Sequence, residues 1–342
     1  MVKTFFSSSP RGYFNSRSWA ASLLLPASLF ALLAAPAQAQ DEKIAPVLIN
    51  HKSTPSVEIP APAQPTYRLT PVQVQAMEES AVNNGSLATQ KKLGKMYMEG
   101  DGVEPNLLKS ASMYQLAAQQ GDPESQVILG KMYAKGIGVK RDYAIAFSQF
   151  TLAAGQDYAP GKIELGQLYE SGHGVSKDAQ MALRLYNRAA ELGDPSGLRY
   201  VGLLYSKGLG VPQDSTKACQ YLQDAGEKGD AGAFYACGHL YESGSGVRKD
   251  TAKAADFYQR AASMGHAEAA YALGMMYKRG IGVSRDMEKA AQFFQQAGDS
   301  NHAEALHQLS VMYNLGQGVE CDPLKAAELT KQAHLAERAV RL

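Results

Sequence analysis

The first 39 residues contain no aspartate or glutamate, carry only Lys3, Arg11 and Arg17 as charges, and run apolar from Trp19 to Ala35. That pattern is a secretory leader, and Ala37-Gln38-Ala39 supplies a small-residue cleavage site, which places the mature start at Gln40. The interrupting Pro26 and the short apolar core argue against an uncleaved membrane anchor. No cysteine follows the apolar run, which excludes a lipid anchor at the cleavage point. Trp19 is the only tryptophan, so the mature chain has none. Without the three leader cations, the 34 Lys and Arg of the chain become 31 against 33 Asp and Glu, a formal charge of −2 that gives nucleic acid no purchase. Catalytic signatures are missing as well. No serine is followed three positions later by lysine, and there is no GxSxG elbow, no GxxxxGK[ST] phosphate loop and no HExxH.

What is present is a period. Residues 40–70 hold five prolines without any sustained pattern, as an extended or disordered linker would. Residues 71–85 are expected to add a leading cap helix. Beyond residue 86 a Leu-Gly pair or its equivalent returns every 36 residues: Leu93-Gly94, Leu129-Gly130, Leu165-Gly166, Val201-Gly202, Cys237-Gly238, Leu273-Gly274 and Leu309-Ser310. A tyrosine follows each second position by three residues, from Tyr97 to Tyr313, and GxGV comes next in every register. Three residues after each valine stands Asn106 or an aspartate, from Asp142 to Asp322.

Each unit reads as a helix, a glycine turn and a second helix. In the sixth, Ala269, Leu273, Met276 and Tyr277 recur at three- and four-residue steps and form one apolar stripe. The paired glycines suit positive φ after a helix end, and the aspartate suits the N-cap of the helix that follows. Asp122-Pro123 and Asp194-Pro195 read as N-caps with proline in the first turn. Neither helix buries its stripe alone, so stability must come from stacking successive units. The fold expected is all-α, a right-handed α/α solenoid of about seven 36-residue repeats spanning 86–342 with a closing C-terminal helix.

The string AEAAYALGMMYKRGIGVSRDMEKAAQFFQQAG at 267–298 resembles the Sel-one-like repeat, a 36-residue relative of the tetratricopeptide repeat distinguished by its longer GxGV turn. The likeness covers about 86–337. It departs from the pattern at Asn106 and Ser110 in the first unit, at Asp157 where a closing glycine is usual, and at Ser310 and Thr330 in the last. The resemblance implies a binding scaffold and no cofactor. It also brings in a cell-wall role, as a peptidoglycan-associated or cell-wall-enzyme-modulating protein, and more remotely a β-lactam-binding hydrolase, for which the missing SxxK leaves no nucleophile.

Two side-chain classes need separate weighing. His302 and His307 are five residues apart, about 140° around a helix, so they do not share a metal, and the reading is of surface histidines with no metal site. The GxGxxxD turns offer one carboxylate each, too few for calcium. Cys219 and Cys237 lie nine residues either side of Lys228, at matching heights on antiparallel neighbours. They can be bridged, or they can be two small buried thiols, Cys237 simply taking the leucine position. Cys321 is the odd cysteine.

If the repeated positions are consumed by the core, function sits at the variable positions of the first helix, two before and two after each leucine, which face the concave side of such a stack. The first set runs Lys91, Val127, Ile163, Arg199, Tyr235, Tyr271, His307, and the second Lys95, Lys131, Gln167, Leu203, His239, Met275, Val311. A basic end thus grades into an aromatic, histidine and methionine patch. Lys91, Lys95, Lys131, Arg199, Tyr235, His239, Tyr271, Met275 and His307 are the expected contacts of a partner, either an extended peptide or an acidic loop of an envelope protein, with Tyr235 and Tyr271 as anchors or as fillers between units. The expectation is a periplasmic or secreted adaptor without enzymatic activity.

Overall fold

The computed structural model describes residues 69–341, with side chains to Arg338; the expected leader (1–39) and most of the linker (40–70) lie outside the described residues. Among those residues there are fifteen α-helices and no strand. Helix α1 (Pro71–Asn83) leads, with Thr70 and Gln73 forming a capping box. Seven helix pairs follow: α2 (Leu87–Glu99) and α3 (Leu107–Gln119), α4 (Pro123–Lys135) and α5 (Tyr143–Gly155), α6 (Ala159–Ser171) and α7 (Ala179–Glu191), α8 (Pro195–Lys207) and α9 (Ser215–Glu227), α10 (Ala231–Ser243) and α11 (Thr251–Ser263), α12 (Ala267–Arg279) and α13 (Met287–Asp299), α14 (Ala303–Leu315) and α15 (Pro323–Arg341). The first helix of each pair is called A and the second B. Successive A helices approach one another, as in α4 with α6, α6 with α8 and α8 with α10, and so form the inner layer of the stack.

In most pairs one glycine and one aromatic explain the packing. A Cβ on Gly274 would meet the Phe294 ring at 2.7 Å, and Gly94 stands in the same relation to Tyr114. Tyr186, Tyr258 and Phe294 are essentially solvent-free, and a ring packs against the A-helix glycine in five units, while in the fourth Leu222 takes its place against Gly202. The last unit resolves the departure seen in its sequence. Ser310 replaces the glycine and Thr330 the ring, and their hydroxyls lie 2.8 Å apart in a hydrogen bond. Ser310 also donates to the Ala326 carbonyl at 2.8 Å, so neither hydroxyl is stranded.

The turn between A and B is closed by the backbone and side chain of its aspartate. The Asp286 amide donates to the Tyr277 carbonyl at 3.0 Å, and its carboxylate accepts from the Lys289 amide at 2.9 Å. The carboxylates of the GxGxxxD turns therefore serve as helix caps. In five units a lysine three residues later covers the repeated tyrosine: Lys289 Nζ lies 5.4 Å from the Tyr277 ring centre and Lys325 4.2 Å from that of Tyr313. Gly282 has φ +74°, and a Cβ there would strike the carbonyl group of Thr251, the first residue of the preceding B helix. Between units the constraint is looser. Gly265 has φ +86° with open space around it, and the matching positions in other units are held by Asp157 at φ 55° and Asn301 at φ 59°. Aspartate and asparagine are the residues that tolerate this conformation best after glycine.

Candidate functional site

In four units the residue two before the leucine reaches the N-cap of the next A helix, 31 residues on. Lys91 bonds Asp122 at 3.1 Å and also pairs with Glu124, and Arg199 bonds Asp230 at 2.7 Å. Tyr235 stacks on His266 and Tyr271 on His302, each with ring centres 4.8 Å apart. Basic residues thus meet aspartate caps and tyrosines meet histidine caps. The hydrogen bond to Glu124 raises the Lys91 pKa against the opposing effect of burial. For Arg199 burial works most strongly against the charge, but the hydrogen bond and charge of Asp230 together with Tyr200 outweigh it and raise the pKa.

The position two after the leucine behaves differently along the stack. Lys95 sits 3.9 Å from Glu99 on its own helix, Lys131 pairs with Glu164 at 3.0 Å, and Gln167 donates to the Tyr200 hydroxyl at 2.6 Å. Of the basic amino-terminal end read from the sequence, Lys91, Lys131 and Arg199 are thus paired with acids 31 to 33 residues further along and Lys95 with Glu99 on its own helix, so it presents no continuous cationic surface to an acidic loop. In the later units His239 and Met275 instead line a groove of about 500 Å³ together with Tyr235 and Tyr271. Four of the nine expected contacts converge there. His307 lies beyond it, with Nε2 3.1 Å from Glu337 on α15.

The groove contains residues that the repeat pattern did not single out. Glu242, Glu268 and Glu304 set three carboxylates on its walls against one guanidinium, Arg279. Glu242 accepts a 2.6 Å hydrogen bond from the Tyr258 hydroxyl, whose pKa burial pushes up so that it stays a donor. His266 caps α12 through Nδ1, which accepts from the Ala269 amide at 3.2 Å. That bond requires the lone pair, and burial lowers the His266 pKa, so the ring is neutral. His302 caps α14 in the same way, accepting from the Ala305 amide at 3.2 Å, and its side chain is 13% exposed. The surface-histidine reading of His302 thus gives way to a cap and stacking partner, a role visible in the sequence only as the 31-residue spacing from Tyr271.

Tyr235 and Tyr271 are half-buried, each lying between the histidine cap of the next unit and a buried B-helix ring, Tyr258 at 5.6 Å and Phe294 at 5.9 Å. They fill the joint between units and wall the groove at once. Cys219 and Cys237 are both free and buried, with Cys237 Sγ 3.8 Å from the Cys219 carbonyl oxygen. The hydrogen bond to Cys219 and burial push the Cys237 thiol up, so it stays protonated and unreactive. Cys321 is exposed in the last turn. No described helix is long and apolar enough to cross a membrane.

An α/α repeat stack with an open inner groove and no assembled catalytic constellation on its described residues is a repeat scaffold. The chain belongs to the Sel1 repeat family, whose repeat matches seven times, at residues 88–122, 123–158, 159–194, 195–230, 232–266, 267–302 and 303–333. Proteins of this family are generally non-enzymatic and typically mediate protein–protein interaction. The chain is similar to a protective antigen present in uropathogenic Escherichia coli strains that displays an SLR fold, with 28% identity and a TM-score of 0.50 over 78% of this chain and 56% of that one. This chain therefore spans little more than half of that antigen. It is also similar to a Sel1 repeat protein from Oxalobacter formigenes, with 28% identity and a TM-score of 0.50 over 71% of this chain and 96% of the other. An immunity protein from Pseudomonas aeruginosa, 22% identical with a TM-score of 0.50 over 62% of this chain and 81% of its own, shares the fold. No curated protein sequence matches at a significant level.

Proposed function

We propose that this chain is an exported binding scaffold that holds an extended segment of an envelope protein in the groove of its fifth and sixth units. The observation that carries this reading is the groove itself: Tyr235, His239, Tyr271 and Met275 converge, framed by Glu242, Glu268 and Glu304. Aromatic and thioether walls favour apolar side chains, and the excess of carboxylates favours a segment carrying lysine or arginine beside them. The leader-like composition of residues 1–39 supports the export half of the proposal.

A His239→Ala, Met275→Ala variant tests the groove, because these side chains line it without capping a helix. Wild type and variant are used to capture proteins from envelope extract, in parallel with binding to purified sacculi. Loss from the variant of one defined protein, recovered through a segment rich in basic and apolar residues, supports the adaptor. Equal capture by both proteins refutes the groove, and retention on sacculi alone favours the peptidoglycan reading. Fusing residues 1–39 to a reporter active only outside the cytoplasm tests export, and an inactive reporter contradicts it.

A further inference from the structure

We propose that His307, His334 and Glu337 form a binding site for a zinc-class divalent cation that fastens the last helix to the stack. The donor atoms of the three side chains all lie within 4.8 Å of one another. His307 Nε2 is 3.1 Å from Glu337 Oε1, His334 Nδ1 is 3.6 Å from Glu337 Oε2, and the two imidazoles meet edge to face with centres 5.4 Å apart. Around a tetrahedral ion with bonds of about 2.0–2.1 Å, donors stand roughly 3.3 Å apart, so small side-chain rotations close the shell.

The backbone explains why the three meet. In four earlier units the residue at the register of His307 reaches the N-cap of the following A helix. Among the described residues α14 is the last A helix, and α15 runs 19 residues where the other helices run 13. The buried Ala333 and Ala336 hold that extension against the core, while His334 and Glu337, three apart and so on one face, turn toward α14. A metal bridging α14 and α15 would do for the last described unit what the cap contact does for those four joints.

The donor set selects the ion. Two imidazoles and one carboxylate suit zinc and its first-row neighbours, whereas calcium and magnesium require more oxygen ligands. The side chains are 37%, 63% and 42% exposed for His307, His334 and Glu337, so an ion enters without opening the fold and keeps a fourth position for water or a partner's side chain. Lys331 and Arg338 share a hollow on α15 with His334 and Glu337, and their positive charges oppose a cation there. This trio is distinct from the His302 and His307 pair, in which His302 is committed to capping α14.

The test uses the untagged mature chain, freed of metal by chelator dialysis and titrated with zinc chloride by calorimetry, with cobalt(II) as a spectroscopic probe. The proposal requires one saturable equivalent, a visible tetrahedral cobalt band and a rise in Tm on zinc addition. His334→Ala and Glu337→Gln, both at partly exposed positions, must each weaken zinc at least tenfold while leaving the metal-free circular dichroism unchanged. Absence of saturable binding overturns the proposal, and so does equal affinity in both variants, which would put the ion on other ligands.

Discussion

Gly282→Ala and Gly265→Ala place the same methyl group at two positive-φ positions and should have different consequences. At Gly265, φ is +86° and nothing lies within 4 Å of the added Cβ. The conformation alone disfavours alanine by about 1–2 kcal/mol, and the stiffer unfolded chain returns roughly 0.4–1 kcal/mol, for a net loss of about 1 kcal/mol. At Gly282, φ is +74° and the new Cβ would also press on the Thr251 carbonyl group, whose carbon lies at 2.6 Å, and on Met276 Cε at 2.9 Å. Backbone atoms cannot rotate away as a side chain does, so overpacking adds about 1–3 kcal/mol. With roughly 2–4 °C lost per kcal/mol in a chain of this size, Gly282→Ala should lower Tm by about 5–12 °C and Gly265→Ala by no more than about 4 °C. Thermal unfolding followed at 222 nm measures both. Equal shifts would refute the argument that the second glycine of each GxG turn is kept for contact with the preceding unit.

Truncating the buried ring in Phe294→Ala should destabilise by about 3–5 kcal/mol in urea unfolding, and a loss below 1 kcal/mol would mean the ring does not lock its unit. Arg199→Ala leaves the partly buried Asp230 without its cation and should weaken the fold by about 1–2 kcal/mol, little relieved by salt, since the arginine is only 24% exposed; a null effect would reduce the joint to a surface contact. His266 has a folded pKa below its ordinary value near 6.5, so the unfolded chain binds the proton more readily. Its contribution to stability is complete above that value and declines as pH falls from about 7 toward 5. His266→Asn keeps an N-cap acceptor and should flatten this part of the Tm–pH curve; an unchanged slope would remove His266 from the account.

The architecture was legible because each contact that builds a unit recurs with it. The ring over Gly274, the carbonyl beside Gly282 and the cap at Asp286 impose one residue type at one register, and the 36-residue spacing exposes them. Ser310 and Thr330 looked like isolated departures, but they are one exchange, a hydroxyl pair where the other units place glycine and a bulky side chain. The groove was legible only in part. Tyr235, His239, Tyr271 and Met275 emerged together because the variable positions of adjacent A helices share a face. Glu242, Glu268 and Glu304 did not: Glu268 and Glu304 share one register at the start of their A helices and Glu242 stands near the end of α10, and neither place is two before or two after the leucine. The neutralisation of Lys91, Lys131 and Arg199 was hidden for a related reason: the acids that meet them lie in the next unit, so reading one register at a time counts the cations and misses their partners.

The central claim is that the inner groove of the fifth and sixth units is where a partner binds. A photoreactive amino acid placed at Met275 in the groove, and separately at the exposed Asp256 on helix α11, tests it in living cells. A discrete protein adduct from Met275 that is absent from Asp256 is the expected result. Identical adducts from both positions, or none from Met275, would contradict it.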